Sequence, residues 1–452
     1  MWLDTIKKQQ YKELNENINT DVLIVGGGIT GISCAYELSK YYNKITLVTM
    51  NEFYSGTTGF TTAKITYQQG FIYHDLLKQY GKENVIKFYE FNKQGLDRIK
   101  EIITTEKIDC DFKEVDGYLF NLENEDENIN NEYLAYQELG IPGEITTISE
   151  LDTFGLKVTN QGIFHPLKYL EAILTKISDK VSIYENTKII DINGKIATTE
   201  DDFTINASNI IIATGYPIYP KYNLFFTKLI PSISYVTAGK SEKNLENANY
   251  INTTDPTVAA RYHENMLIVS GFTHESKQMK TENEQFNQLT EMAKSKFAVT
   301  DFEYAWSTRD YDSVDLLPFA GKIRSHIYLA TGFNEWGMTK SVASAILIKD
   351  LIVGNDSKFA SLFNPLRHSM SKKFFTYNAG MFSTIIKSRK PFEQLDNLDR
   401  SEGKIIKFHN RRYGVFKDDT GNIIMVKATC THLGCGLSFN KIDRTYDCPC
   451  HG

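Results

Sequence analysis

The chain opens on a polar lead-in, residues 1–20, which predicts a surface segment with one short helix. It gives way to an apolar run, Asp21-Val-Leu-Ile-Val25, which predicts a buried strand because it is short and ends in glycines. After the turn Gly26-Gly27-Gly28-Ile29-Thr30-Gly31, Ile32 to Tyr42 predicts a helix and Lys44 to Val48 a second strand. His74 to Ile103 predicts one long helix or two, Ile163 to Leu170 opens another, and Thr187 to Ile190 is a short strand. From about residue 221 to 310 apolar and polar positions alternate, as in Ile233, Tyr235, Thr237 and in Leu267, Val269, which predicts an antiparallel sheet. Leu289 to Phe297 predicts a surface helix. Residues 365–395 are a basic, broken linker in which Phe374 to Ile386 forms a helix packed on the larger part. Gly403 to Phe408, Tyr413 to Phe416 and Ile423 to Val426 predict three strands, with a hairpin turn at Asp418 to Gly421. The fold class is therefore α/β with an inserted antiparallel sheet, followed by a small all-β part. No internal repeat is visible.

Composition narrows the partners. The 452 residues leave room for about two or three domains. Apolar residues at 41% and charged residues at 23% are ordinary for a soluble protein. A net charge of −6 predicts no nucleic-acid partner. No apolar run reaches the roughly 18 residues of a membrane span. Met1 to Asn19 lacks an apolar signal core, so the chain reads as cytoplasmic. Cys34 and Cys110 read as plain buried thiols.

Two stretches carry chemistry. The turn G-x-G-x-x-G at residues 26–31 lies between a strand and a helix, with a second strand behind them. That context fits a dinucleotide, whose diphosphate approaches the glycine backbone and the helix N-terminus. The acidic residue that usually closes the second strand is absent; Leu47-Val48-Thr49-Met50 stands there, leaving Thr49 and Glu52 for a ribose. The following Ser55 to Lys64 segment is small and polar and suits a diphosphate or a flavin ring, or is simply a turn. The second stretch is Cys430-Thr431-His432-Leu433-Gly434-Cys435 with Cys448-Pro449-Cys450-His451-Gly452. Zinc takes the same donors, but zinc boxes usually pair Cys with Cys and His with His. One of each per box suits a [2Fe–2S] cluster with both thiolates on one iron and both imidazoles on the other.

The two boxes resemble the Rieske iron–sulfur family of respiratory and photosynthetic complexes. The resemblance implies Cys430 and Cys448 on one iron, His432 and His451 on the other, and a disulfide between Cys435 and Cys450 bracing the cluster loops. It also implies a potential of roughly −150 to +300 mV. Members of that family run on past the second box, whereas this sequence stops at Gly452, which predicts a fragment with an incomplete Rieske domain.

From Asp21 to about Val353 the chain resembles FAD-dependent amine and D-amino-acid oxidoreductases of the glycine oxidase and sarcosine oxidase type. Four ordered blocks carry the likeness: Gly26 to Gly31, Thr61-Thr62-Ala63-Lys64, Asn209 to Gly215, and Ile327 to Thr339. The resemblance implies a Rossmann-like FAD domain of the glutathione-reductase type with an inserted substrate domain. It assigns FAD contacts to Gly26, Gly27, Gly28, Ile29, Thr30, Gly31, Thr49, Thr61, Thr62, Ala63, Ile189, Ala213, Thr214, Gly215, Gly332, Trp336, Gly337, Met338 and Thr339. The expected division is an oxidoreductase over residues 1–364, with FAD segments near 20–75, 160–220 and 320–355, a linker at 365–395 and the Rieske part at 396–452. Arg261 and Arg309 are candidates for holding a substrate carboxylate. Tyr235, Tyr262, His263 and His274 are candidates for the pocket wall. No catalytic residue is assigned, and FAD is expected to be non-covalent.

A flavin beside a one-electron cluster implies a dehydrogenase rather than an oxidase. An amine or amino acid would be oxidised to an imine, and electrons would pass from FAD through the cluster to an external acceptor. The alternatives are a flavin–Rieske module fed by a nicotinamide or protein donor, and a non-enzymatic redox sensor.

Overall fold

The computed structural model describes residues 1–122, 126–217, 224–276, 282–369, 371–388, 392, 398–430, 434–440 and 444–448. Its first layer is an eight-stranded sheet. Ile18–Val25 lies at the centre, parallel to Ile45–Val48 on one side and to Thr204–Ile212 on the other. Val181–Tyr184 and Ile327–Thr331 extend the parallel set, and Phe319–Arg324 closes one edge antiparallel. Parallel strands are covered on both faces, which is why they read as unbroken apolar runs. Val22 and Ile24 point into one core with the helices Ile29–Leu38 and Gly337–Val353, and Leu23 and Val25 point into the other.

The second sheet has nine strands. Leu229–Ser241, Met266–Glu275, Val258–His263 and Val299–Ser313 give the expected antiparallel run. The sheet is wider than the span 221–310, however. Lys113–Phe120, Glu144–Ile148 and Thr153–Ile163 join it, and Asn249–Asn252 pairs in parallel with Lys113–Phe120. That pairing joins stretches far apart in sequence, so no local pattern announces it. Helix Glu282–Phe297 covers the back of this sheet, burying Leu289, Ala293 and Phe297. The C-terminal part holds the three expected strands, Glu402–Phe408, Arg411–Lys417 and Ile423–Lys427, and a two-stranded ribbon, Ser438–Asn440 with Thr445–Asp447. The Asp418 carboxylate accepts from the N–H groups of Thr420 at 2.9 Å and Asn422 at 2.8 Å, fixing the hairpin turn. The linker helix is Lys372–Lys387, and its Tyr377 packs with Ile230 and Val314 of the larger part. Among the described residues, no helix is long and apolar enough to cross a membrane.

The N-terminal lead-in is mostly exposed and holds one short 3-10 helix, Trp2–Thr5, but it is anchored at Trp2. Trp2 is 1% exposed, and its indole N–H donates to the Thr61 carbonyl at 2.7 Å. A single buried Trp in a polar stretch gives no periodic signal.

The long helix is Tyr73–Glu106, broken at Gly81, where φ is +72°. Its first turn is held by Glu132, which is fully buried and accepts from the N–H groups of Ile72, Tyr73 and His74 at 3.2, 2.9 and 3.0 Å. Burial pushes the Glu132 carboxyl up to about 7, against the pull of those donors. A folded pKa above the unfolded value means a contribution to stability that is full below about 4.3 and is lost as pH rises to about 7. Thermal melts should show Glu132→Gln flattening that part of the pH profile. Glu132→Ala should cost about 2–3 kcal/mol at low pH by stranding buried N–H groups, and less as pH rises towards 7.

Candidate functional site

The glycine turn is built by close approach. Gly26 has φ +125°, and a β-carbon there would lie 2.3 Å from the Ala213 carbonyl oxygen. A β-carbon at Gly31 would lie 1.9 Å from the Gly26 carbonyl oxygen. Helix Ile29–Leu38 thus starts directly over the strand end, with Gly28 as its cap, a residue that has no side chain to close it. The Thr58 hydroxyl accepts from the Ile29 N–H at 3.1 Å, which brings the Ser55 to Lys64 segment to the same point. The Thr30 hydroxyl reaches Ser341 at 2.8 Å, joining the turn to the helix Gly337–Val353. Ala213, Thr214 and Gly215 follow the strand Thr204–Ile212, and the Thr331 hydroxyl donates to the Gly215 carbonyl beside Gly332. Three of the four ordered blocks therefore meet through hydrogen bonds or backbone contact, and the open helix cap with its glycine cradle fits the diphosphate of FAD. Thr49 packs on Gly27, and Ile189 is buried in the neighbouring core. Glu52 is exposed and paired with Lys8 at 2.8 Å.

One pocket joins this cradle to the second sheet. Thr61, Thr62, Lys64, Trp336 and Met338 line it from the FAD blocks, and Ser234, Ile251, Asn252, Val258 and Thr273 from the sheet; Glu335 completes it. Ala63 shares the loop with φ +55° and is buried beneath it, and Thr339 is buried one residue beyond Met338. Lys64 is 8% exposed and donates to the Thr62 hydroxyl at 3.0 Å. Burial, then the Arg261 charge, pulls its ammonium down to about 7, while Glu335 draws it up. Glu335 opens to the pocket although protein surrounds its carboxyl. Burial, followed by Asp312 and Asp310, holds that carboxyl well above the usual range. Burial also raises Asp310 to about 7, with Asp312 adding to the effect. Behind them Lys340 is buried, donates to the Phe333 carbonyl at 2.8 Å, and is pulled down to about 7 by burial against these three carboxyls. Asn334 and Glu335 both have positive φ, +53° and +66°. Two adjacent non-glycine residues in that region store strain of a kind that clusters at functional sites. This acid–base set was missed in the sequence; Asp310 and Asp312, two apart on one strand, were its only local signal.

The two candidate arginines do not meet there. Arg261 is 1% exposed and donates to the carbonyls of Thr62, Phe164 and Tyr262, under the Trp2 ring. Its guanidinium is consumed in bracing the flavin-side loop. Arg309 pairs with Asp447 of the C-terminal ribbon. A carboxylate ligand would have to displace those partners. Tyr235 and His274 bond each other at 3.1 Å, His263 packs on Trp2 and His165, and the Tyr262 hydroxyl donates to the Lys243 carbonyl at 3.2 Å. None of these four lines the pocket.

At the C-terminal boxes, Cys430, Cys435, Cys448 and Leu437 pack in one small cluster. The Cys430 N–H donates to the Cys435 carbonyl at 2.9 Å and the Gly434 N–H to the Cys430 carbonyl at 3.1 Å, shaping a tight loop. Cys435 is disulfide-bonded, whereas Cys430 and Cys448 keep their thiols, as iron ligation requires. Cys450, His432 and His451 lie outside the described residues. Two thiols of separate boxes in one buried cluster fit the thiolate half of a [2Fe–2S] site.

A family model described as FAD dependent oxidoreductase matches residues 21–351, and one described as Rieske [2Fe-2S] domain matches residues 389–452. A Rieske 2Fe-2S iron-sulfur protein of Bacillus subtilis is 35% identical over 473 aligned positions, which cover 100% of this chain and 92% of the relative. The structure is similar to glycine oxidase from Geobacillus kaustophilus, with a TM-score of 0.64 and 17% identity over 77% of this chain and 99% of that one. It is also similar to L-proline dehydrogenase from P. horikoshii, with a TM-score of 0.64 and 16% identity over 78% and 98%.

Proposed function

The chain belongs to the FAD-dependent oxidoreductase family and carries a Rieske [2Fe-2S] domain, and from that premise we propose that it dehydrogenates an amine or amino acid and passes the electrons through its iron–sulfur domain to an external acceptor. The observation that carries this reading is the pocket shared by the FAD blocks and the second sheet, with Lys64 and Glu335 both in its wall. When bound, FAD supplies a two-electron acceptor for a C–H bond beside nitrogen, and the cluster a one-electron outlet.

The chain's own residues prepare the substrate. A bound carboxylate would draw Lys64 into its ammonium form and a bound ammonium would draw Glu335 into its carboxylate form, so an amino acid satisfies both ends. Because its pKa is raised, a Glu335 oxygen is basic enough to take a proton from that ammonium and leave a neutral amine. Ile251, Val258, Trp336 and Met338 give the wall an apolar share that limits water and holds the substrate in one orientation. The glycine oxidase and L-proline dehydrogenase likenesses, which concern fold, agree with a substrate of this class by analogy.

The test is anaerobic mixing of the holoprotein with a panel of amino acids, followed by absorbance and low-temperature EPR. The reading expects flavin bleaching and then the signal of a reduced His-ligated cluster. Bleaching by NADH or NADPH alone would overturn the amine chemistry. Bleaching by an amino acid without a cluster signal would overturn the electron route.

A further inference from the structure

The strand Val299–Ser313 ends its sheet and turns two faces to two different sites. Successive side chains on a strand point to opposite faces. Asp310 and Asp312 belong to the Glu335–Lys340 group at the pocket. Arg309 and Tyr311 point the other way, towards Asp447 and Cys448. Arg309 pairs with Asp447, the residue before Cys448. The Asp447 carboxylate is aimed by Asn440 at 2.9 Å and by the Thr445 hydroxyl at 2.8 Å. The pair is mostly shielded, with Arg309 26% and Asp447 14% exposed. Tyr311 lies against Gly215, where an added β-carbon would touch its ring at 3.7 Å, and its ring centroid is 5.2 Å from that of Tyr216. Cys448 is an electrostatic neighbour of both tyrosines, and Cys430 of Tyr216. A second anchor sits at the end of the linker helix. There the Gly436 N–H donates to the Ser388 hydroxyl at 3.1 Å, and a β-carbon at Gly436 would lie 2.1 Å from the Ser388 carbonyl oxygen.

We infer that the Arg309–Asp447 pair is a latch that seats Cys430 and Cys448, one from each box, by the Tyr216–Tyr311 pair, behind the Gly215 turn. Arg309 is thus a positioning residue for the electron route, not a substrate ligand. The inference rests on the proposed route through the cluster. A mostly shielded pair that loses one partner leaves a charge uncompensated, so reversal at Arg309 should open the contact.

The test uses the full-length holoprotein and two variants, Arg309→Glu and Arg309→Lys. Small-angle scattering should give Arg309→Glu a larger maximum dimension than the wild type. In anaerobic stopped flow, its flavin should bleach at the wild-type rate while its cluster is reduced at least ~10-fold more slowly. Arg309→Lys keeps the charge and should restore both the dimension and the rate to within ~3-fold. Unchanged scattering, or an unchanged cluster rate, in Arg309→Glu overturns the latch. A wild-type cluster that is never reduced overturns the route instead, and the latch is then judged by scattering alone.

Discussion

Gly26→Val is expected to cut the flavin content of the purified protein at least ~10-fold while leaving its far-ultraviolet circular dichroism close to that of the wild type. Gly26 has φ +125°, a conformation that a β-branched residue avoids at a cost of about 1–3 kcal/mol. Its added carbon would also fall 2.3 Å from the Ala213 carbonyl oxygen, so either the glycine turn or the block Ala213 to Gly215 must withdraw. Overpacking of this kind costs about another 1–3 kcal/mol. Every 1.4 kcal/mol taken from the bound state is about tenfold in affinity. The remaining strands pair independently of this turn, so the damage should stay at the cradle. Flavin absorbance per polypeptide measures it, and full flavin occupancy would mean that residues 26–31 do not hold the cofactor.

Lys64→Met is expected to weaken binding of a simple carboxylate such as benzoate about 10- to 100-fold. Methionine keeps the buried stem and removes the charge, and a charge-assisted hydrogen bond contributes about 1.5–3 kcal/mol. Titration calorimetry on the holoprotein reads the change directly. The pH dependence has a definite sign. The ammonium is pulled down to about 7, so the cation is complete below that value and is lost above it. Benzoate affinity should therefore fall as pH rises through about 7 in the wild type and fall less steeply in Lys64→Met, where Glu335 alone remains to ionise. With amino-acid substrate, kcat/KM should drop more than kcat, as expected for a residue that binds. A small amine without a carboxylate should be indifferent to the change. An equal loss for both kinds of substrate would place the carboxylate elsewhere.

Much of this architecture was legible because its signals are local. The strand–glycine–helix turn occupies adjacent residues, and so does each Cys/His box. The three strands after residue 402 and the helix around Tyr377 likewise show themselves within a few residues. What was not legible depends on residues brought together from afar. Lys64 and Glu335 share a wall only because two sheets close on each other. Arg261 and Arg309 looked alike as spare cations in a substrate sheet. One is spent on backbone carbonyls and the other on Asp447, and neither partner is near in sequence. The positive φ values of Asn334 and Glu335 are also beyond a sequence pattern; they occur where the Asn334 side chain accepts from the Ser313 N–H at 2.6 Å and donates to the Leu316 carbonyl at 2.7 Å.

Arg261 also sets an order of assembly. Its guanidinium ties Thr62, 199 residues earlier, to Phe164, 97 residues earlier. The ribosome delivers the chain from its N-terminus. The glycine turn at residues 26–31 is among the first parts made. The loop that faces it across the pocket is held by Trp2 at Thr61 from early on, but its tie from Thr62 to Phe164 waits until the ribosome has released Arg261. A chain stalled before Arg261 would present a finished turn opposite a loop tied at Thr61 to Trp2 but not yet at Thr62 to Phe164.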